Sequence, residues 1–414
     1  MDEISVLDNV FEQFLKGPKL FRDREVLRHD YIPDELPHRQ NQIRYLGEIV
    51  APVLRPSRCS NVFIYGKTGT GKTAVIKYVL AKLSIKAEEL GVPLKTCYIN
   101  CRLAGTEYRV LSGLCNAIGV GVPFTGLAVG EVFDRFRCGL NSARILFLPV
   151  LDEIDALVKT RGDILLYELT RINEALHSSK TSIIGISNDL RFKEFLDPRV
   201  LSSLSEEEIV FSPYDAAELR DILRERAQSA FFDDMVLDGA ISLCAALAAA
   251  EHGDARRALD LLRVAGEIAE REGVGAVAEV HVRRAEKRIE HDRVMEVVEN
   301  LPSHSKLVLC SVFLLNRAKI SLAITGDIYE IYCELCGESG FAPLTQRRVS
   351  SLVNELDVIG LLNARVVSMG RYGRTKKIRL GVSRGLLEEA FVADGRLRPL
   401  VRYSPKCLTE IRRG

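Results

Sequence analysis

The stretch NVFIYGKTGTGKTAVIKYVLAKL, residues 61–83, leaves a chain little freedom. A short β-branched and aromatic run meets a glycine-punctuated loop, and the loop passes into an apolar periodicity of helical spacing. In a strand–loop–helix of this kind successive backbone N–H groups turn inward. The helix start adds partial positive charge, so the loop is a cradle for phosphate oxygens. Gly66, Lys67, Thr68, Gly69, Thr70, Gly71, Lys72, Thr73 and Ala74 are therefore expected to wrap a nucleoside triphosphate. Lys72 would reach its β- and γ-phosphates and the Thr73 hydroxyl would hold Mg2+. The expected cofactors are ATP or ADP with Mg2+.

Eighty residues on, ILFLPVLDEID (145–155) reads as a buried strand ending in Asp152 and Glu153. In an open α/β sheet such a strand delivers its last residues beside the phosphate loop. Asp152 suits the Mg2+ site, and Glu153 can polarise an attacking water. SIIGISND (182–189) is a further strand, and Asn188 at its end could orient that water. Pieces in this order resemble the AAA+ ATPase core. The resemblance implies an arginine finger at Arg199, in LDPRVLSSL; an exposed arginine after a helix-starting Asp-Pro is the other reading. It also implies a second-sensor arginine at Arg256, in HGDARRALDLLR. That helix carries Ala255, Ala258, Leu259, Leu262 and Ala265 on one side, leaving Arg256 off the apolar stripe.

Composition narrows the class. With 47% hydrophobic and 27% charged residues the chain is globular. It has no apolar run near the ~20 residues of a membrane helix. The N-terminus MDEISVLDN lacks a secretion signal's basic start. These features point to the cytoplasm and away from a membrane; association with the nucleoid is what the DNA-binding reading below implies. The ten cysteines are scattered among apolar neighbours. Cys333 and Cys336 form a CxxC with no second ligand pair, which reads as buried thiols rather than zinc.

Net charge is almost nil, 57 basic against 56 acidic residues, yet Val358–Leu387 holds seven bases and no acid. Three helical patterns precede it: SHSKLVLCSVFLL, IYEIYCELCG, and PLTQRRVSSLVNELDVIG. The third has Thr345 as its cap and Val349, Leu352, Val353, Leu356 and Ile359 on one face. Two alternating runs come next, LLNARVVS and TKKIRLGV, joined by MGRYGR. Ile378, Leu380 and Val382 should face inward and Lys377 and Arg379 outward. Three helices and a glycine-tipped hairpin make a winged helix. Its expected DNA-facing residues are Thr345, Gln346, Arg347, Arg348 and Ser351 on the third helix, with Arg371, Tyr372, Gly373, Arg374 and Lys376 on the hairpin. A solvated charged hairpin with no partner and a winged helix used only for protein contacts are the competing readings.

The segments LRHDYIPDELPHRQNQI, SSLSEEEIVFSPY, GDARRALDLLRVAGEIAE and TQRRVSSLVNELDVIG, with the core motifs, resemble one family: the archaeal origin-recognition and cell-division-cycle replication initiators. The resemblance runs from about residue 20 to residue 387. It implies an α/β fold: an AAA+ P-loop core with a parallel sheet, a helical lid and a C-terminal winged-helix DNA-binding domain. The domains would be an N-terminal extension (1–20), a nucleotide-binding base (21–213), a lid (214–300), the winged helix (301–390) and a basic tail (391–414). Tyr31, Ile32, Pro33, His38 and Arg39 would flank the nucleotide base, and Tyr214 and Arg226 would line the pocket. GVGVPFTGLAVGEVFDRF (119–136) resembles the segment that initiators insert into the AAA+ core. Pro123, Thr125, Gly126 and Leu127 would there approach DNA; an apolar connector packed on the core is the alternative. The implied function is ATP-dependent binding of double-stranded origin DNA and recruitment of the replicative MCM helicase. Hydrolysis would be slow and serve as a switch, and paralogous initiators or further copies of the chain would be partners on DNA. The alternative is an AAA+ DNA motor such as a branch-migration helicase.

Overall fold

A computed structural model describes residues 11, 19–28, 31–204, 206–320, 322–368 and 374–408. The chain divides into two compact units, residues 1–285 and 286–414.

The first unit opens with α1 (Gln40–Val50), β1 (Val62–Gly66), α2 (Lys72–Glu89) and β2 (Leu94–Asn100). It continues through α3 (Glu107–Ala117), α4 (Val129–Ala143), β3 (Leu146–Asp152), α5 (Ile154–Arg161), α6 (Ile164–Arg171), β4 (Ile184–Ser187), α7 (Pro198–Leu204) and β5 (Glu207–Phe211). The strands form a parallel sheet in the order β2–β3–β4–β1–β5, and the short strand Lys180–Thr181 also pairs with β3. Every residue of β3 is buried, which is why its sequence is a continuous apolar run rather than an alternating one. β4 lies between β3 and β1, so the residues leaving its C-terminal end emerge between the phosphate loop and the two carboxylates of β3.

Four helices come after the sheet: α8 (Ala216–Ala230), α9 (Asp238–Glu251), α10 (Ala255–Arg271) and α11 (Glu279–Asn300). Asp215 and Glu218 start α8 with a reciprocal capping box. Asp254 starts α10 by accepting the backbone N–H groups of Arg256 and Arg257. Phe21 stacks on Phe231 of this helical layer with ring centroids 4.5 Å apart.

The second unit holds α12 (Ser303–Arg317), β6 (Ala323–Ile324), α13 (Thr325–Ser339), α14 (Gln346–Val358), β7 (Leu362–Ser368), β8 (Arg374–Leu380) and α15 (Arg384–Ala393). The strands make an antiparallel sheet in the order β6–β8–β7. Its core gathers Val308, Phe313, Ile331, Val353, Ile378 and Phe391, with Val294 and Val298 from the part of α11 beyond residue 285, which belongs to this unit. Val349, Leu352, Val353 and Leu356 of α14 are buried as expected, but Ile359 is exposed because the helix ends at Val358, one residue before it. Ile378 is buried and Lys377 and Arg379 are exposed, the alternation the sequence predicts. Cys336 is buried and Cys333 packs against the same core. The basic tail is docked as far as residue 408. Leu397, Leu400 and Val401 are buried, and Arg317 donates to the carbonyls of Val401 and Tyr403. Glu334 accepts the backbone N–H groups of Lys406 and Cys407 at 2.8 and 2.9 Å.

Candidate functional site

The phosphate loop lies between β1 and α2. Gly69 and Gly71 adopt φ of +68° and +88°, and both positions also lack room: a Cβ would fall 1.7 Å from Asp254 Oδ1 at the first and 2.7 Å from the Tyr214 hydroxyl at the second. Lys72 Nζ donates to the carbonyls of Gly66 and Lys67 at 2.7 and 2.6 Å. Burial pulls the Lys72 ammonium down to about 8, against the opposing pull of the Asp152 carboxylate. A buried cation held only by its own loop's carbonyls is a receptor for an anion.

On the other wall, Thr73 Oγ1 donates to Asp152 Oδ2 at 3.0 Å, and the Tyr98 hydroxyl donates to the same oxygen. The Glu153 N–H fills Asp152 Oδ1 at 2.8 Å. Glu153 takes the left-handed conformation (φ +52°), which is rare outside glycine and aims its side chain off the strand end. Asn100 Nδ2 and Arg102 Nη1 reach the two Glu153 carboxylate oxygens at 3.4 and 3.5 Å. Asn188 comes just after β4, its backbone N–H on Asp155 Oδ1 at 3.3 Å, and Ser187 Oγ holds the same carboxylate oxygen at 3.1 Å.

The helical layer closes the cleft from a third side, where the Ala255 N–H donates to the Gly69 carbonyl at 3.1 Å. The cleft is lined by Tyr31, Ile32, Pro33, residues 68–74, Lys77, Asp152, Glu153, Asn188, Tyr214, Arg226 and Arg256. Arg226 lies 4.7 Å over the Tyr31 ring and donates to the Val26 and Tyr31 carbonyls.

Five expected residues lie off that lining. Gly66 and Lys67 contribute the carbonyls that hold Lys72. His38 pairs with Asp221 at 3.1 Å. Arg39 is buried beneath the loop, bonded to the carbonyls of Thr70 and Ser212 at 2.9 and 2.8 Å and stacked 3.7 Å over the Tyr214 ring. Arg199 is exposed, its guanidinium on both oxygens of Asp197. Conversely, Tyr98, Asn100 and Arg102 support the two carboxylates from outside the lining, and Lys77 lines the cleft, with no motif to announce them. Only the pairing of β2 with β3, which sets Asn100 opposite Asp152, reveals the first three.

In the insertion, Val120, Val122 and Leu127 pack against the core, while the tip turns outward. Phe124 is 79% exposed, with the Arg109 guanidinium 5.7 Å over its ring, and Gly126 is open with φ +105°. The Tyr108 hydroxyl fixes the Pro123 carbonyl at 2.6 Å, and Thr125 is exposed. Leu127, expected at the DNA, thus belongs to the packed side, as the connector reading has it, while Pro123, Thr125 and Gly126 are on the exposed tip.

In the second unit, the Thr345 hydroxyl caps α14 by accepting the Arg348 N–H. Gln346, Arg347 and Arg348 are exposed and Ser351 is half-buried. Arg348 pairs with Glu355 at 3.1 Å. Lys376 ties β8 to α14 by donating to Asn354 Oδ1 at 2.6 Å. Arg371, Tyr372 and Gly373 lie outside the described residues, and of Arg374 only the backbone in β8 falls within them. The exposed face of the hairpin adds bases outside the expected DNA-facing set: Arg365 stands opposite Lys377, and Arg379 opposite Asn363.

Family models match three consecutive parts of the chain: an AAA domain over residues 54–191, a Cdc6 AAA+ ATPase-type lid domain over 220–287, and a CDC6 C-terminal winged helix domain over 296–390. The ORC1-type DNA replication protein of Thermococcus onnurineus is 52% identical over 408 residues, covering 98% of each chain. ORC1-type DNA replication protein 1 of Sulfolobus acidocaldarius is 52% identical over 382 residues, 92% of this chain and 95% of its own. Among solved structures, that of the Aeropyrum pernix ORC1 protein in complex with DNA superposes with a TM-score of 0.85 at 51% identity, covering 92% of this chain and 99% of that one. The chain belongs to the archaeal ORC1-type family of DNA replication proteins, with an AAA+ core, a Cdc6-type lid and a C-terminal winged helix.

Proposed function

We propose that the protein is a replication initiator that binds double-stranded origin DNA under the control of ATP and helps recruit the replicative MCM helicase. Bound nucleotide acts as a slowly reset switch. The observation that carries this reading is the bare basic face of the hairpin. Arg365, Lys377 and Arg379 are exposed, and none has an ion-pair partner among the described residues. Like charges set opposite one another across strands destabilise a sheet. A polyanion laid along that face would relieve the repulsion and release counterions. Support comes also from the A. pernix relative, which was solved with DNA. The name shared by relatives at 52% identity favours an initiator over a branch-migration motor. Recruitment of MCM and association with paralogues or further copies on DNA rest on family membership.

The cleft fits a metal-bound triphosphate. Lys72 is buried and held by neutral carbonyls alone, and Thr73 and Asp152 bring a hydroxyl and a carboxylate together at its rim. Thr73 and Asp152 would hold Mg2+, which when bound neutralises charge on the phosphate oxygens. Lys72 then exchanges carbonyl partners for phosphate oxygens, and Glu153 and Asn188 orient a water. Arg256 adds positive charge from the lid, while Tyr31, Ile32, Pro33, Tyr214 and Arg226 shape the far end of the cleft. Arg199, exposed and outside its own cleft, would leave Asp197 to serve a neighbouring protomer, and turnover is slow if that neighbour is needed. Footprinting on genomic fragments, with and without ATP, tests the reading. Protected repeats beside a replication start support it; rapid hydrolysis with strand separation on any duplex would replace it with the motor.

A further inference from the structure

Tyr98 is a half-exposed tyrosine on the edge strand β2, 40% accessible, yet its hydroxyl is committed to one buried oxygen, Asp152 Oδ2. Asp152 is 5% exposed and has three donors. Glu153 N–H fills Oδ1, while Thr73 and Tyr98 share Oδ2. The two hydroxyls are not equivalent. Thr73 comes directly after Lys72 at the start of α2, where a lone pair of its oxygen is a natural metal ligand while its hydrogen stays on Asp152. Tyr98 comes from the opposite strand and does not line the cleft, so it serves Asp152 alone. One turn beyond Thr73, Lys77 Nζ lies 4.9 Å over the Tyr98 ring and packs it in place.

We propose that Tyr98 is a positioning residue for the metal-bound nucleotide. With Thr73 committed to the metal side, the Tyr98 hydroxyl fixes the Asp152 carboxylate plane from β2, so that the carboxylate would meet a bound metal in one orientation. Without the Tyr98 hydroxyl the buried carboxylate keeps only Thr73 on Oδ2 and the Glu153 N–H on Oδ1, and is freer to rotate. The inference rests on the ATP reading of the cleft and goes beyond it by giving Tyr98 a role in the metal term of affinity alone.

The test is Tyr98→Phe, which keeps the ring against Lys77 and removes only the hydroxyl. Affinity of the full chain for a fluorescent ATP analogue is measured over a Mg2+ titration and again in excess chelator. The expected result is metal-free affinity like that of the wild type and half-saturating Mg2+ raised about tenfold, the worth of one hydrogen bond to a charged acceptor. An unchanged Mg2+ requirement, or a parallel loss with and without metal, would reduce Tyr98 to packing and overturn the proposal. If the wild-type chain takes up no nucleotide in either condition, the cleft reading itself fails instead.

Discussion

Arg365 of β7 stands directly opposite Lys377 of β8, and Arg379 projects on the same face two residues farther on. Such a pair costs a few tenths of a kcal/mol or more in an isolated sheet, so a role in folding does not explain it. Replacing both by threonine should weaken duplex binding while leaving the melting temperature unchanged or slightly higher. The slope of log K against log salt should become less negative by about 2, close to ~0.9 for each lost phosphate contact. An unchanged slope would take the hairpin face off the DNA.

Arg39 is 2% exposed and bridges segments far apart in sequence, the phosphate loop at Thr70 and the Ser212–Tyr214 turn that leads into the helical layer. A lysine ammonium cannot reproduce that planar fork and its stack on Tyr214. Arg39→Lys should destabilise the chain by about 2 kcal/mol, because buried carbonyls lose their donors. It should also weaken ADP binding, although Arg39 is off the cleft lining. Urea unfolding with and without ADP measures both effects; loss of stability with unaltered nucleotide affinity would limit Arg39 to scaffolding.

Lys306 and Asp394 pair at 2.6 Å with both side chains 16% exposed. Burial by itself would raise the Asp394 carboxyl, but Lys306 and the backbone N–H groups of Arg396 and Leu397 outweigh it and hold it below the ordinary aspartate range. A depressed carboxylate contributes stability above its unfolded pKa of about 3.9, and that contribution is lost as pH falls through the lower folded value. Asp394→Asn keeps the cap and removes the charge. It should cost about 1–2 kcal/mol at neutral pH, by the general worth of such pairs. Below about pH 4 the gap to the wild type should close. Hydrogen exchange of the buried α12 amides at two pH values reads the difference.

The phosphate loop, the two acidic residues of β3, Asn188 and the winged helix were legible in the sequence, because each depends on local spacing. A glycine-rich turn between strand and helix has few foldings, and an alternating hairpin must face one way. The residues that escaped depend on neighbours distant along the chain. Tyr98 and Asn100 sit at an unremarkable strand end, and their place beside Asp152 comes from sheet order alone. Arg39 lies next to His38, but the two diverge, one under the loop and the other onto Asp221. Arg365 was hidden in a run counted as strand, although the register that sets it against Lys377 makes it part of the basic face. The tail's six bases outshone its apolar residues, yet Leu397, Leu400 and Val401 decide where it goes.

The central claim is that nucleotide in the cleft governs how the winged helix engages duplex. It is tested most directly by fluorescence anisotropy of a labelled native initiation-site duplex titrated with the full chain, with ATP, without it, and with Lys72→Ala. The account predicts affinity for the native duplex roughly tenfold or more above that for a scrambled one of equal length. It also predicts a clear change on adding ATP that the Lys72→Ala variant fails to show. Equal affinity for both duplexes, or a nucleotide response that survives the loss of Lys72, would contradict it.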